Sequence, residues 1–212
     1  LGFGLSAPVT ITPAVANAAQ SSLSVDPNAL ASNGEATAEV MVTVRDQYGN
    51  VRTSGGDDVF ITASSGQVSE VTDQQDGTYT ATLTSSTEAG DHTVTAYLGT
   101  DATGAKVGGA DQPIRYTVGV PHQLSVVAGP QSSTTAGDAI TTNDGSALAF
   151  AIEDVNGNRI DDAIQTVSVR LSRDKGATLS GTLSQAAVSG VARFGDLSID
   201  LAGGYSLTAT AT

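Results

Sequence analysis

Short runs of alternating apolar and polar residues recur along the chain, separated by turn-forming residues. Val40, Val42 and Val44 alternate with polar neighbours, and Tyr79 and Ala81 do the same in a later run. A period of two residues places alternate side chains on one face of a β-strand, so each run predicts a strand with one buried face. Turn residues follow each run and no segment keeps a helical period. The pattern predicts an all-β chain of short strands.

One strand-and-turn stretch occurs twice. Residues 46–50 and residues 154–158 both read Asp-x-x-Gly-Asn, each follows an alternating apolar strand, and 108 residues separate them. A repeat of about one domain's length indicates two copies of one fold. The sequence therefore predicts two tandem immunoglobulin-like β-sandwiches, over residues 21–119 and residues 120–212.

The two copies differ at their ends. Residues 203–209 align with residues 90–96 at an offset of 113, which places Thr212 before the point where the last strand of the first copy begins. That strand, around Ile114 and Tyr116, has no counterpart, so we predict that the second sandwich lacks its last strand within this chain. A truncated second domain is one interpretation. The alternative is that another segment pairs with the open sheet edge and supplies the strand.

Residues 1–20 differ from the rest of the chain because they carry no charge. Their apolar start and the small residues from Ala14 to Ala18 are typical of the end of a secretory signal peptide. We interpret them as a signal-peptide remnant or an N-terminal extension, in which Val9 and Ile11 have the alternation of a short strand. Glycine and proline interrupt the stretch, which is too short to cross a bilayer as a helix.

Charge and composition argue against several classes of protein. The net charge is −13, of which residues 21–119 carry −9 and residues 120–212 carry −4. This field repels nucleic-acid phosphates and anionic lipids, so we expect neither nucleic-acid binding nor membrane insertion. The chain has no cysteine, which excludes a disulfide framework, a thiolate metal site and a thiol nucleophile.

Few residues suggest chemistry. The two histidines, His92 and His122, lie far apart in the predicted strand order, and the chain has neither a Gly-x-Ser-x-Gly elbow nor a phosphate-binding loop. We expect His92 to be partly buried and His122 to be exposed, and we predict that the chain is not an enzyme. Tyr48 and Tyr97 are the candidate platforms for a sugar ring.

One candidate metal site lies in the second Asp-x-x-Gly-Asn stretch. Oxygen-bearing side chains at alternating positions, followed by two further carboxylates, suit a hard cation such as Ca²⁺. These candidate ligands are Asp154, Asn156, Asn158, Asp161 and Asp162. The alternative is that the first aspartate stabilises a turn by accepting hydrogen bonds from nearby backbone. No other cofactor is expected.

Several stretches of both copies resemble known bacterial repeats. In the first copy, residues 42–50, 76–83 and 89–96 resemble bacterial immunoglobulin-like repeats of the invasin/intimin type, which are also filamin-like. In the second copy, the resemblance is to related repeats of very large bacterial surface proteins, and it is carried by residues 152–158, 190–194 and 197–210. These stretches are turn and core signatures, which specify a fold better than a function.

The resemblance implies non-catalytic structural or spacer modules of an extracellular bacterial surface protein or adhesin stalk. The implied partners are neighbouring repeats of the same protein or identical subunits, and no host or cell-surface ligand is specified. One alternative is a self-assembling filament or surface-lattice subunit, in which the N-terminal strand of one copy enters the incomplete second domain of another. A carbohydrate-binding module is a third hypothesis.

Overall fold

The computed structural model describes residues 7–212, so the first six residues of the predicted signal-peptide remnant lie outside the described part. The chain divides into two compact units, Leu1–Thr117 (unit 1) and Val118–Thr212 (unit 2). The all-β prediction is confirmed, since the described residues contain strands and a single turn of 3₁₀ helix at Val107–Gly109. No helix within residues 7–212 is long and apolar enough to cross a membrane.

Unit 1 contains two sheets that share one core. Its strands are β1 (Ser22–Asp26), β2 (Ala29–Ala31), β3 (Thr37–Thr43), β4 (Val59–Ala63), β5 (Gln67–Val68), β6 (Thr72–Asp73), β7 (Thr78–Thr84), β8 (Gly90–Leu98), β9 (Ala105–Lys106) and β10 (Gln112–Thr117). One sheet has the order β1-β3-β7-β5, with β6 also on β7, and the other has the order β2-β10-β8-β4, with β9 also on β8. Strand β10 therefore lies between β8, to which it is antiparallel, and β2, to which it is parallel.

The predicted alternation explains the core of unit 1. Val40, Val42 and Val44 are fully buried, and they pack with Ile61 and Val94 of the opposite sheet. Burying such an aliphatic side chain contributes about 1.5–3 kcal/mol relative to leaving it exposed. A core that is mainly aliphatic therefore suffices, in keeping with an aromatic content of 4%.

Unit 2 has fewer and shorter strands. They are β11 (Gln123–Ala128), β12 (Leu148–Glu153), β13 (Thr166–Leu171), β14 (Leu179–Ser180), β15 (Ser184–Ala186), β16 (Val191–Phe194), β17 (Ser198–Ile199) and β18 (Leu207–Ala211). The sheets have the orders β11-β12-β16, β15-β13-β18 and β14-β17. Phe150 and Phe194 meet edge to face in the core, with ring centroids 5.9 Å apart.

The strands of the two units correspond in order. Strands β11, β12, β13, β16 and β18 of unit 2 take the places of β1, β3, β4, β7 and β8 of unit 1. Strand β8 has a neighbour on each side, β4 and β10, whereas β18 pairs with β13 and forms the edge of its sheet. Among the described strands of unit 2, none takes the place of β10.

A glycine turn packs closely on the hairpin that follows β3 and, in unit 2, on the one that follows β12. Gly77 has a φ of +88° and Gly190 a φ of +71°, a region that disfavours side chains. A Cβ added at Gly77 lies 2.0 Å from the carbonyl oxygen of Arg52, and one added at Gly190 lies 2.4 Å from that of Ile160. Both the backbone conformation and the lack of space therefore require glycine at these two positions.

We expect Gly190→Ala to destabilise unit 2 by about 3 kcal/mol, because backbone strain and a backbone clash add together. Gly157→Ala is the matched control: its φ is +86°, but the nearest atom to an added Cβ is 3.9 Å away. The control should cost about 1–2 kcal/mol, from strain alone. Urea unfolding followed by NMR signals of unit 2 measures both, and equal losses would contradict the close approach.

Candidate functional site

The two Asp-x-x-Gly-Asn stretches form the same hairpin turn. In unit 1, Asp46 N donates to Asn50 O at 2.9 Å and Gly49 N donates to Asp46 O at 3.0 Å. In unit 2, the bonds from Asp154 N to Asn158 O (2.9 Å) and from Gly157 N to Asp154 O (3.2 Å) repeat this arrangement. The glycine of each turn has a φ near +85°, and its lack of a Cβ makes that conformation inexpensive.

The aspartate side chain of unit 1 is buried inside its turn. Asp46 is 1% exposed, and its Oδ1 accepts hydrogen bonds from Tyr48 N at 2.9 Å and Asn50 N at 3.0 Å. The Nδ2 of Asn50 reaches both carboxylate oxygens, at 3.3 and 3.0 Å. The carboxylate also accepts from a donor outside the turn, Ala14 N, which lies 2.9 Å from Oδ2.

Asp154 reproduces this pattern atom for atom. It is 1% exposed, and its Oδ1 accepts from Asn156 N and Asn158 N, both at 2.9 Å. Asn158 Nδ2 lies 3.2 and 3.0 Å from the two oxygens. The distant donor here is Gly119 N, 2.9 Å from Oδ2. Each carboxylate therefore binds its own turn and one backbone group far away in the sequence.

The distant donor belongs in each unit to the segment that precedes the first strand. We call residues 14–17 and residues 119–122 the leading segments of units 1 and 2. A second backbone bond holds each of them: Asn17 N donates to Arg45 O at 2.7 Å, and His122 N donates to Glu153 O at 2.8 Å. Because Arg45 and Glu153 immediately precede the aspartates, each leading segment lies along the start of the hairpin.

Hydrogen bonding sets the acidity of both carboxyl groups. The Asn50 side chain, followed by the backbone N–H groups of Ala14, Asn50 and Tyr48, lowers the pKa of Asp46 from 3.8 to about 2, although burial opposes the shift. For Asp154, burial is the largest influence and raises the pKa, but the hydrogen bonds from Gly119, Asn158 and Asn156 together hold the pKa below its usual value. Both groups are therefore anionic at neutral pH.

Arginine strengthens the arrangement in unit 1 alone. Arg52 donates from Nη1 to the carbonyl oxygen of Ala14 at 2.9 Å and from Nε to Asp57 Oδ2 at 3.1 Å. Ala14 is therefore held through both its N–H and its C=O. The position that corresponds to Arg52 in unit 2 is Ile160, which is buried in the core.

The structure separates the predicted calcium ligands. Asp154 and Asn158 lie together in the turn, but Asp154 faces N–H donors on both oxygens, whereas Asp161 lies 2.6 Å from Arg159 Nε. Asn156 binds Asp154 through its backbone N–H, and Asp162 is exposed. Within residues 7–212, no three or more histidine, cysteine, aspartate or glutamate side chains form a metal-binding group. This geometry favours the turn-stabilising role of Asp154, and the calcium site stays a prediction.

The other residues singled out from the sequence are not brought together. His92 is partly buried, with its ring 4.8 Å from that of Tyr116, and its buried Nε2 has no hydrogen-bond partner among the described residues. His122 is exposed. Tyr48 lies in the hairpin turn after β3 and is 76% exposed. Tyr97 lies on β8 beside Phe60, with 6.3 Å between the ring centroids.

The family comparison agrees with this fold. Residues 17–112 match the family model described as invasin, domain 3. No curated protein sequence matched the chain. The match begins at Asn17, in the leading segment of unit 1, and ends at the start of β10.

Solved adhesin structures share the architecture. The structure of invasin, described as a bacterial integrin-binding protein, has 19% identity and a TM-score of 0.51 over 92% of this chain and 37% of its own. InvD of Yersinia pseudotuberculosis has 23% identity and a TM-score of 0.51, covering 92% of this chain and 54% of its own. The Escherichia coli adhesin FdeC has 19% identity and a TM-score of 0.51, covering 96% and 63%.

At these identities the likeness to the solved structures shows the fold, and this chain spans only about a third to two thirds of their length. Together with the family match over residues 17–112, it confirms the predicted resemblance to immunoglobulin-like repeats of the invasin/intimin type.

Sequence reasoning identified the aspartates but missed Ala14 and Gly119. Both donate through the backbone, so their side chains carry no signal. A weak signal does exist, because Ala14 and Gly119, like Asn17 and His122, are related by an offset of 105 residues. The leading segment of unit 1 has four more residues before Leu23 than that of unit 2 has before Leu124. An alignment anchored on those two leucines therefore conceals the correspondence.

We expect the stability of unit 1 to fall as the pH drops from about 4 to about 2. The pKa of Asp46 is about 2 in the folded chain, against 3.8 for the unperturbed group. A lowered pKa contributes stability that is fully present above the unfolded value and is lost as the pH falls through the folded one. Urea midpoints measured at each pH test this. Asp46→Asn should show a shallower loss, and an identical slope would contradict the assignment.

We expect Asp154→Ala to destabilise unit 2 by about 2–3 kcal/mol, because three backbone N–H groups and an amide lose their acceptor. Asp162→Ala, which alters an exposed predicted calcium ligand, should stay within about 0.5 kcal/mol. Thermal unfolding with calcium and with a chelator tests the metal hypothesis at the same time. Since N–H donors face both Asp154 oxygens, we expect identical curves, and a calcium-dependent rise in Tm would instead support the cation site.

Proposed function

We propose that the two units are non-catalytic structural modules of an extracellular bacterial surface protein, serving as spacer repeats in an adhesin stalk. The match to invasin domain 3 and the fold shared with three adhesins support this class of protein. Neighbouring repeats of the same protein are the partners that such modules contact. The surface location follows from the class and is part of the proposal.

The buried aspartate of each unit is the observation that carries the spacer role. Asp46 and Asp154 each bind the segment leading into their own sandwich, through N–H to Oδ2 distances of 2.9 Å. A charge-assisted hydrogen bond is about twice as strong as a neutral one. Each unit therefore fixes its leading segment, through which force is transmitted along a chain of repeats. The same hydrogen bond in both units supports a mechanical function rather than recognition.

The positions of the two candidate platforms, Tyr48 and Tyr97, favour the spacer role over sugar binding. A sugar site needs convergent polar groups beside an aromatic platform. Tyr48 stands in the Asp46 hairpin, and Tyr97 lies on β8 against Phe60, so the two candidate platforms belong to different places in unit 1. Hydrogen bonds from the side chains of Thr78, Thr103 and Thr182 are the chief cause of the lowered pKa values of Asp76, Asp101 and Asp196, so these carboxylates bind groups of their own unit.

Single-molecule pulling from the two chain ends tests the proposal. We expect two abrupt unfolding events, each releasing about 30 nm of chain at about 3.6 Å per residue. Asp154→Ala should lower the force of one event and leave the other unchanged, and Asp162→Ala should change neither. Gradual extension without steps, or unfolding forces that do not respond to Asp154→Ala, would contradict the spacer role.

A further inference from the structure

The chain enters unit 1 at one end of the sandwich and leaves it at the other. Strand β1 begins with Ser22 opposite Thr43, close to the Asp46 hairpin, so the leading segment lies at the hairpin end. Strand β7 also starts there, with Thr78 opposite Thr43, and β8 therefore starts at the far end. Because β10 is antiparallel to β8, it runs towards the far end and leaves unit 1 there. A force transmitted along the chain thus acts on unit 1 along the direction of its strands.

Strands β2 and β10 lie side by side in the path of this force. They are parallel, with Ala29 opposite Arg115 and Ala31 opposite Thr117. Strand β2 is connected through β1 to the leading segment, whereas β10 is connected to unit 2. Pulling on the leading segment draws β2 towards the hairpin end, and pulling on unit 2 draws β10 the other way. The two strands are made to slide past each other, so the evenly spaced bonds between them are strained together rather than one after another.

Side chains add to the hydrogen bonds of this pair. Backbone bonds run from Arg115 N to Asn28 O at 2.9 Å and from Ser32 N to Thr117 O at 3.0 Å. Ser32 Oγ donates to the same carbonyl oxygen of Thr117 at 2.8 Å, and Thr117 Oγ1 donates to Leu30 O at 3.2 Å. The far end of the pair is therefore joined through side chains as well as through the backbone.

The core shields these bonds from water. Leu30 and Tyr116 lie opposite each other and are 6% and 1% exposed, and Ser32 is 3% exposed. The Oη of Tyr116 also donates to Ser65 O at 2.9 Å, which fixes its ring in the core. A shielded hydrogen bond is not replaced by one to water as it breaks, so it resists separation more strongly than an exposed one. The β2–β10 pair is therefore suited to resist sliding.

We propose that the β2–β10 pair, with Ser32 as its buried side-chain donor, is the part of unit 1 that resists pulling. The inference rests on the proposed spacer function, because a module between neighbouring repeats carries force from its leading segment to its last strand. Asp46 fixes the position of the leading segment, whereas the β2–β10 pair sets the force at which unit 1 opens. Separation of the pair removes Leu30 and Tyr116 from the core, so the remaining strands lose their packing.

Single-molecule pulling of the full chain in two directions tests the proposal. The chain has no cysteine, so two introduced thiols define where the force is applied. Val15→Cys with Val120→Cys pulls across unit 1 along its strands, and these two side chains are 81% and 79% exposed. Glu35→Cys with Val120→Cys pulls on the far ends of β2 and β10, so the same bonds open one at a time. We expect the unfolding force to be lower in the second direction by a factor of about two or more.

Ser32→Ala tests the side-chain bond within the pair. It removes the Oγ donor but keeps the backbone bond from Ser32 N to Thr117 O. In the Val15–Val120 direction we expect unfolding at a fixed force to become about fivefold faster, the effect of one hydrogen bond. Ser85→Ala is the matched control, since Ser85 is 4% exposed and its Oγ donates to Asn33 Oδ1, outside the pair. The control should leave this rate unchanged, even if it lowers the urea midpoint.

Three results overturn the proposal. They are equal unfolding forces in the two directions, an unfolding rate that Ser32→Ala does not change, and equal effects of Ser32→Ala and Ser85→Ala on that rate. Because Ala14 lies outside the stretch between the two cysteines, none of these results depends on its bond to Asp46. The spacer function fails separately, if the chain extends without steps when it is pulled from its two ends.

Discussion

A buried carboxylate surrounded by N–H donors is the interaction on which both sandwiches depend. Asp46 and Asp154 each accept hydrogen bonds from two backbone N–H groups of their turn, from the asparagine amide and from one distant backbone N–H. Leaving such an anion buried without donors would be costly, whereas a full set of donors keeps it charged and fixes its surroundings. One side chain thereby joins a hairpin to the segment that leads into the sandwich.

Around this interaction the two units share an architecture but differ in the number of their described strands. Unit 1 surrounds its valine-rich core with two sheets in which β10 lies between β2 and β8. In unit 2, loops supply several core residues, including Ile140, Ile160 and Leu197. Among its described strands, β18 pairs with β13 alone.

The regular parts of this structure could be predicted because alternation and turn residues are local signals. The buried sets around Val42, Tyr79 and Phe150 follow from such patterns. Val107, which is fully buried in the single 3₁₀ turn of a glycine-rich stretch, follows no period, so its burial could not be predicted from the sequence. Only one part of the role of the aspartates could be predicted. The turn is a local signal, but the amides of Ala14 and Gly119 lie 32 and 35 residues from the aspartates and donate through the backbone.

Amide hydrogen exchange at Ala14 and Gly119 reports on the two bonds that tie the leading segments to the aspartates. We predict that both amides are protected to the level of neighbouring strand residues, and that Asp154→Ala removes the protection of Gly119 but not that of Ala14. Exchange of Gly119 in the unaltered chain at the rate of an unstructured peptide would contradict it.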